Sequence, residues 1–544
     1  MLRKSTRIIN TEKPFVFEKQ EQNVGQIIKA EVDSIEAPGG RELIKDIKFN
    51  FKSGDKIAII GEEGNGKSTL AKIIAGEKLP EGFSVSGAVE RGDSKIGYLP
   101  QALSEEWSSC SVVDFFIKDE PKGQIDYERY NDISKIQAVM TEVGLDPKII
   151  DNELTIDKLS GGEKVKLQIA KLLWQEPNFL VLDEPTNNLD LETIEWMEDF
   201  IRNTNVGVIF ISHDEYLLAN TADRIIHLEQ QKRKSVAQST VANVGYRTYV
   251  EGRNVATERQ ELRAMLERRK KKEGLKILRH IKAGVHGQAE NIKDATMRRT
   301  MAKKESGLAR REEKILDAKL TDRPDVEEGI KFEFPETAVF PQGKIVVDLH
   351  LPELEIGLEG DKKILCAKKI DYTKNGPGID IIIGKNGSGK TTLLKEILKN
   401  MREKGLEPAY FPQDYNEILT DPSKMAVEYL TDEKTSQTEA RKMMGRMKFT
   451  PDEMLQKVSE LSGGQKAKLI LLMLTFSGKN ILVLDEPTRN LSPLSAPVLR
   501  EALREFPGAT IAVTHDRAFI QELGERVFEL DENGLNLVEL EKFD

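Results

Sequence analysis

Short apolar runs without alternation recur along the chain. Ile57-Ala58-Ile59-Ile60 and Leu180-Val181-Leu182 are the clearest, and a run with no polar face predicts a strand covered on both sides. Between such runs the apolar positions take helical spacing, so each half of the chain reads as strands alternating with helices on a parallel sheet, an α/β fold. The middle of the chain has another pattern. Asn254 to His280 carries Leu262, Leu266, Leu275, Leu278 and Ile281 near one face of a long helix, and Glu290 to Ala318 carries Ile292, Ala295, Ala302, Leu308 and Ile315 on a second. Gly284 and Gly287 predict the turn between them, at Ile281 to Gln288. Two helices of about 27 residues, each rising about 1.5 Å per residue, make an antiparallel hairpin roughly 40 Å long. The longest apolar run, Leu469 to Phe476 with one Thr in it, is far short of the roughly 18 residues that a membrane crossing requires.

The two α/β halves are copies of one another. Leu159-Ser160-Gly161-Gly162 recurs as Leu461-Ser462-Gly463-Gly464, Asp183-Glu184-Pro185-Thr186 as Asp485-Glu486-Pro487-Thr488, and Ser212-His213-Asp214 as Thr514-His515-Asp516, all at an offset of 302 residues. Upstream, Gly61 to Thr69 recurs as Gly384 to Thr392 at an offset of 323, so the first copy carries 21 extra residues between these motifs. The copies are placed at 28–250 and 323–544, with an arm at 251–322 and an extension at 1–27 to which the sequence assigns no role.

At 544 residues the chain is long enough for several cores. Two cysteines, Cys110 and Cys366, supply neither a disulfide framework nor a four-cysteine metal site, and the basic N-terminal residues have no apolar stretch behind them. Both features predict a reducing, cytoplasmic setting. The formal charge of −10 argues at first against a polyanionic partner. Resolved along the chain, it divides: Arg253 to Leu320 holds 20 basic and 10 acidic residues, leaving −20 for the remainder.

The repeated motifs carry phosphate chemistry. In Gly-x-x-Gly-x-Gly-Lys-[Ser/Thr], the glycines Gly61, Gly64 and Gly66, or Gly384, Gly387 and Gly389, let backbone N–H groups approach phosphates at a helix N-terminus. Asn65, Thr69, Asn386, Ser388 and Thr392 complete the two loops. Lys67 or Lys390 is placed to reach terminal phosphates and Ser68 or Thr391 to ligate Mg²⁺. Asp183 and Asp485 end apolar strands, where a carboxylate can hold that Mg²⁺ at the sheet edge. Glu184 and Glu486 follow as the groups to polarise an attacking water. His213 and His515, each 30 residues beyond its Asp, can contact the terminal phosphate or the water, and Gln101 and Gln413 the metal or the water. Ser160-Gly161-Gly162 and Ser462-Gly463-Gly464, each opening a helix, form a second kind of anion site. Each half already has a phosphate loop, so this second motif is most economically used on the nucleotide of the other half.

This order of motifs resembles the ATP-binding cassette (ABC) ATPases over both copies. The resemblance implies two ABC-type P-loop nucleotide-binding domains joined by a basic antiparallel helical-hairpin linker, with two ATP molecules between the cassettes of one monomeric chain. Asp183 to Asp190 and the fusion of two cassettes without a membrane segment resemble the ABC-F family more narrowly. Its members hydrolyse ATP and act in translation near the ribosomal exit site for tRNA, and some confer antibiotic resistance. Departures are visible. Glu62 and Glu63 stand where Pro-Asn is commoner, predicting weakened affinity at the first site. Neither Ile35 to Gly40 nor Glu355 to Gly360 offers an aromatic to stack on adenine, which leaves ATP over GTP unselected there. Arg489-Asn490-Leu491-Ser492 replaces Asn187-Asn188-Leu189-Asp190, predicting unequal sites.

The basic arm coincides with the ABC-F linker. There the resemblance implies contact with ribosomal RNA and tRNA through Arg268, Arg269, Lys270, Lys271, Lys272, Lys282, Arg298, Arg299, Lys303 and Lys304, mainly by charge and shape. A cytosolic ATPase subunit of a membrane transporter is the alternative, and it leaves the arm without a purpose. A DNA-repair or chromosome-organising ATPase would carry very long coiled coils or zinc-binding cysteines within the cassette, and an iron–sulfur recycling factor more than two cysteines.

Overall fold

The computed structural model describes residues 27–126, 129, 132–150, 154–187, 189–231, 236–290, 295–317, 334–335, 338–358, 361–366, 369–431 and 435–539. Residues 1–26 of the predicted extension at 1–27, Asn188 and the predicted start of the second copy at 323 lie outside them, and Ile27 opens the first strand.

In the first copy, strands β1 (Ile27–Ala37), β2 (Arg41–Lys52) and β4 (Ser84–Glu90) form an antiparallel sheet ordered β2-β1-β4. The main sheet runs β5-β6-β7-β3-β8-β9, from β3 (Lys56–Ile60), β5 (Ile96–Leu99), β6 (Phe179–Asp183), β7 (Gly207–Ile211), β8 (Arg224–Gln230) and β9 (Val236–Ala242). All its pairs are parallel except β8–β9. The runs that lacked alternation are these strands: every residue of β3, β6 and β7 is buried. They lie beneath Leu70, Ala71 and Ile74 of the helix Lys67–Ala75 in one core with Phe51 and Phe179, whose rings are 4.6 Å apart.

The second copy repeats that order. Strands β10 (Ile345–Leu351) and β13 (Ile370–Asn375) pair antiparallel, and β11 (Leu354–Leu358) and β12 (Asp361–Cys366) form a hairpin. The main sheet is β15-β16-β17-β14-β18-β19, from β14 (Gly378–Ile383), β15 (Ala409–Phe411), β16 (Ile481–Asp485), β17 (Ala509–Val513), β18 (Arg526–Asp531) and β19 (Gly534–Val538). The long apolar run falls in the helix Gly463–Ser477, where Leu469, Ile470, Leu471, Leu472 and Leu474 are buried in this core. About half of the extra residues of the first copy lie before Gln101, where they include β4. Among the described residues, no helix is long and apolar enough to cross a membrane.

The two cassettes together form one compact unit, and the arm is a second that begins at Arg247, four residues before the predicted boundary. It is a helical hairpin, but its proportions differ from the expectation. The first helix runs Tyr246–Glu290, 45 residues, and the second Ala295–Leu316, 22 residues. Gly284 and Gly287 therefore lie inside a helix and not at a turn, and residues 291–294, between the two helices in sequence, lie outside the described residues. A glycine in a helix interior costs only about 1 kcal/mol, and with no proline nearby every N–H can still bond. Leu278 and Ala264 are buried, whereas Leu262, Leu266 and Ile281 are exposed. Much of the predicted apolar face is thus a surface.

Candidate functional site

Each phosphate loop connects the central strand of its sheet to a helix. Gly61 has φ +145°, and a Cβ there would lie 2.2 Å from the carbonyl oxygen of Leu228; at Gly384, φ is +150° and the oxygen is that of Leu530, at 2.4 Å. Only glycine fits against the neighbouring strand at either place. Gly66 and Gly389, at φ +91° and +97°, turn the chain into the helices Lys67–Ala75 and Lys390–Glu403. Lys67 Nζ donates to the carbonyls of Gly61 (2.8 Å) and Glu62 (3.1 Å), and Lys390 Nζ to those of Gly384 (2.8 Å) and Lys385 (2.9 Å). Asn65, expected on the nucleotide, uses its side-chain amide to anchor the loop to the carbonyl of Leu228 at 2.9 Å. Arg41, which nothing in the sequence singled out, holds the carbonyl of Gly64 at 2.9 Å.

Ser68 Oγ donates to Asp183 at 3.0 Å and Thr391 Oγ1 to Asp485 at 2.8 Å. Burial pushes both aspartates above the ordinary carboxylate range, and Asp485 Oδ1 is buried with no hydrogen-bond partner. A hydroxyl and a desolvated carboxylate converging on one point fit a divalent cation with oxygen ligands. Tyr98 adds a hydroxyl on Asp183 at 3.2 Å.

Glu184 and Glu486 share a feature that spacing could not reveal. Their φ values are +50° and +51°, a left-handed conformation costing a non-glycine residue about 1–3 kcal/mol. Their amides are held by the carbonyls of Ile211 (3.1 Å) and Val513 (2.9 Å) on the adjacent strands. The carboxylates then part company. Glu184 receives Gln101 Nε2 at 2.7 Å and lies 3.3 Å from His213 Nε2. Burial opposes ionisation there, but His213, Lys67 and Gln101 hold the group below its ordinary range. Glu486 lies 3.7 Å from the ring of His515, and burial beside Asp485 raises it. Burial, with the Lys390 ammonium, pushes His515 down to about 3, a neutral imidazole.

Ser160 and Ser462 cap their helices as expected, with reciprocal bonds to Glu163 and Gln465. The motifs also meet across the cassettes. Asn386 N donates to Asp190 Oδ2 at 3.3 Å, Lys385 pairs with Glu192 at 2.5 Å, and a cavity of about 500 Å³ there is lined by Gly161, Asn386, Gly387, Gly389, Lys390, Thr391, Thr392, Gln413, Asp485, Glu486 and His515. On the other side, Glu62 contacts Lys468 (2.9 Å), Ser495 (2.6 Å) and Ser492, and Glu63 contacts Ser462 (3.2 Å) and the amide of Gly464. Two further contacts were invisible in sequence: Arg500, 2% exposed, forks onto Glu215 at 3.0 and 3.2 Å, and Arg517 meets Glu198 at 2.9 Å.

Within the arm, Arg269, Lys270, Lys272, Arg299, Lys303 and Lys304 are exposed and Arg268 is partly so. Lys271 and Lys282 instead join the two helices, through the carbonyl of Leu316 at 2.6 Å and Glu312 at 2.9 Å. The side chain of Arg298 lies outside the described residues.

The ABC transporter family model matches residues 44–187 and 369–489. The chain is 29% identical to ABC transporter F family member 5 of Arabidopsis thaliana, over 91% of this chain and 74% of that protein. It is 28% identical to the energy-dependent translational throttle protein EttA of Mycobacterium tuberculosis, over 89% and 88%. Among solved structures it resembles RNase-L inhibitor with a TM-score of 0.52 at 18% identity, over 93% of this chain and 90% of that one, a likeness of fold.

Proposed function

Because the chain belongs to the tandem ATP-binding cassette ATPases of the F family, we propose that it couples ATP hydrolysis to translation by binding the ribosome through its arm. One observation carries this reading: a net charge of +10 is concentrated between Arg253 and Leu320 on a chain that is otherwise acidic. Exposed lysines and arginines on two helices suit the phosphates of folded RNA, and the acidic cassettes disfavour indiscriminate RNA binding. The relative named a translational throttle protein points the same way.

The loop N–H groups and Lys390 would hold the phosphates of ATP, and Ser160-Gly161-Gly162 would close on the terminal phosphate from the other cassette. Ser68 and Asp183, or Thr391 and Asp485, would hold Mg²⁺, which when bound neutralises phosphate charge and orients the phosphates. Glu184 or Glu486 would take the proton of the attacking water, with Gln101 and His213, or Gln413 and His515, orienting the carboxylate or the water. Loss of the terminal phosphate removes the anion that bridges the cassettes, so the pair reopens and the arm is withdrawn.

The test is ribosome co-sedimentation of a Glu184→Gln/Glu486→Gln chain in ATP and in ADP. Retention in ATP alone is the expected result; equal pelleting in both would overturn the reading. Protection of ribosomes from antibiotics is one use of such a cycle. It predicts raised drug resistance in cells expressing the chain, abolished when the arm is truncated near residues 284–300.

A further inference from the structure

The two composite sites carry their charges on opposite sides. At the second, the phosphate loop presents the amide of Asn386 and the ammonium of Lys385, and the facing cassette supplies the carboxylates Asp190 and Glu192. At the first, the loop itself carries the carboxylates, Glu62 and Glu63, and the facing cassette supplies hydroxyls and a cation, Ser492, Ser495 and Lys468. Ser492 stands one repeat after Asp190. The carboxylate has moved across the interface.

Where it has moved to matters for the nucleotide. Glu63 Oε2 accepts from Ser462 Oγ at 3.2 Å and from the backbone N–H of Gly464. These two donors, at the N-terminus of the 15-residue helix Gly463–Ser477, form an anion position. The approach is so close that a Cβ on Gly464 would lie 2.0 Å from Glu63 Oε2. Glu62 anchors the loop behind it, through Lys468 Nζ at 2.9 Å, Ser495 Oγ at 2.6 Å and Ser492 Oγ. The corresponding motif of the other cassette contributes Gly161 to the lining of the cavity of about 500 Å³.

We propose that Glu63 is a built-in occupant of the anion position that Ser462 and Gly464 would offer to a terminal phosphate, held by the Glu62 latch. The first composite site then closes on the chain's own carboxylate, and the second takes the nucleoside triphosphate. A triphosphate on Lys67 brings a second anion to a donor pair already filled, and two anions there repel. Lys67, Ser68 and the loop amides remain able to hold the inner phosphates, so the ligand class compatible with a latched first site is a nucleoside diphosphate. This inference rests on the reading of the chain as a tandem-cassette ATPase and confines the triphosphate to its second site.

The test is equilibrium binding of radiolabelled ATP with Mg²⁺ to the full chain carrying Glu184→Gln and Glu486→Gln. The latched chain is expected to bind about one ATP, abolished by Lys390→Ala and kept with Lys67→Ala. Adding Glu62→Gln and Glu63→Asn, the latter matching Asn386, raises the number to about two. Two equal sites in the latched chain, or disappearance of its single ATP with Lys67→Ala, would overturn the proposal, whereas a failure of the ATPase reading shows as no ATP on any variant. Amide exchange in the nucleotide-free wild type gives a second readout that needs no variant to fold. The Gly464 amide is expected to exchange about tenfold or more slower than that of Gly162; equal exchange would overturn the latch.

Discussion

The carboxylate of Glu62 stands 2.9 Å from the ammonium of Lys468, although 406 residues separate them in the chain. Each side chain is only 14% exposed, so the pair is largely shielded from the solvent that weakens surface ion pairs. Lys468 and the hydroxyls of Ser492 and Ser495 hold Glu62 well below the usual carboxylate range, although burial alone would raise it.

Glu62→Ala takes the carboxylate from Lys468 and the two serines. Breaking a shielded pair from one side typically costs about 3 kcal/mol, to be read from denaturant unfolding of the full chain. A group with a depressed folded-state pKa contributes stability in full above its ordinary value, and that contribution fades as pH falls toward the folded value. The gap between wild type and Glu62→Ala should therefore hold at neutral pH and narrow progressively below about pH 4.5. A gap that widens on acidification would contradict this.

Glu486→Gln is expected to lower ATP turnover by about 100-fold or more, the usual worth of a general base, measured as phosphate release. It should also stabilise the nucleotide-free protein at alkaline pH. Burial beside Asp485 raises Glu486, so ionising it in the folded state is unfavourable and the wild type loses stability as pH rises above the ordinary glutamate value. Thermal melts at pH 6 and pH 9 should show the advantage of Glu486→Gln growing with pH. Glu184→Gln should show no such trend between pH 6 and pH 9, because Glu184 lies below its ordinary range and its contribution changes only as pH falls below the ordinary glutamate value.

Arg500→Leu removes the fork onto Glu215 and leaves that carboxylate against a buried apolar side chain. A destabilisation of about 3 kcal/mol is expected. Arg500 also pairs with Glu522 at 3.0 Å, but that carboxylate is 40% exposed and keeps Arg504 at 2.9 Å, so Arg500→Leu with Glu215→Leu should recover most of the loss, since the penalty belongs to the orphaned charge. If the double variant were as unstable as the single, the fork would not be the cause.

On the arm, changing Arg269, Lys270, Lys272, Arg299, Lys303 and Lys304 together to Gln keeps good helix formers in place. Ribosome affinity should fall, and the slope of log affinity against log salt should shrink by roughly 0.7–0.9 for each RNA phosphate that the arm no longer neutralises. Lys271 and Lys282, which tie the hairpin together, should instead affect helix melting when changed.

Much of the fold and of the site could be read from the sequence because the signals are short in range. A strand covered on both faces leaves an unbroken apolar run, as in β3 and β6. A loop that wraps phosphate needs glycine where a Cβ would meet a carbonyl, as at Gly61 and Gly384. A helix capped by Ser160 or Ser462 announces itself within four residues. The hairpin turn departs from its predicted place for the same reason in reverse: Gly284 and Gly287 look like punctuation locally, yet a long helix with partners along it absorbs them.

What tertiary structure alone decided is where charges end up. The sequence identified Glu62 and Glu63 as unusual but carried no sign of Ser462, Lys468, Ser492 and Ser495 gathering around them. Nor did spacing distinguish Glu184, ringed by His213 and Gln101, from Glu486, beside a neutral His515. Motifs are set by the backbone geometry of a few neighbouring residues. Electrostatic state depends on burial and on partners hundreds of residues away, which only the folded chain brings together.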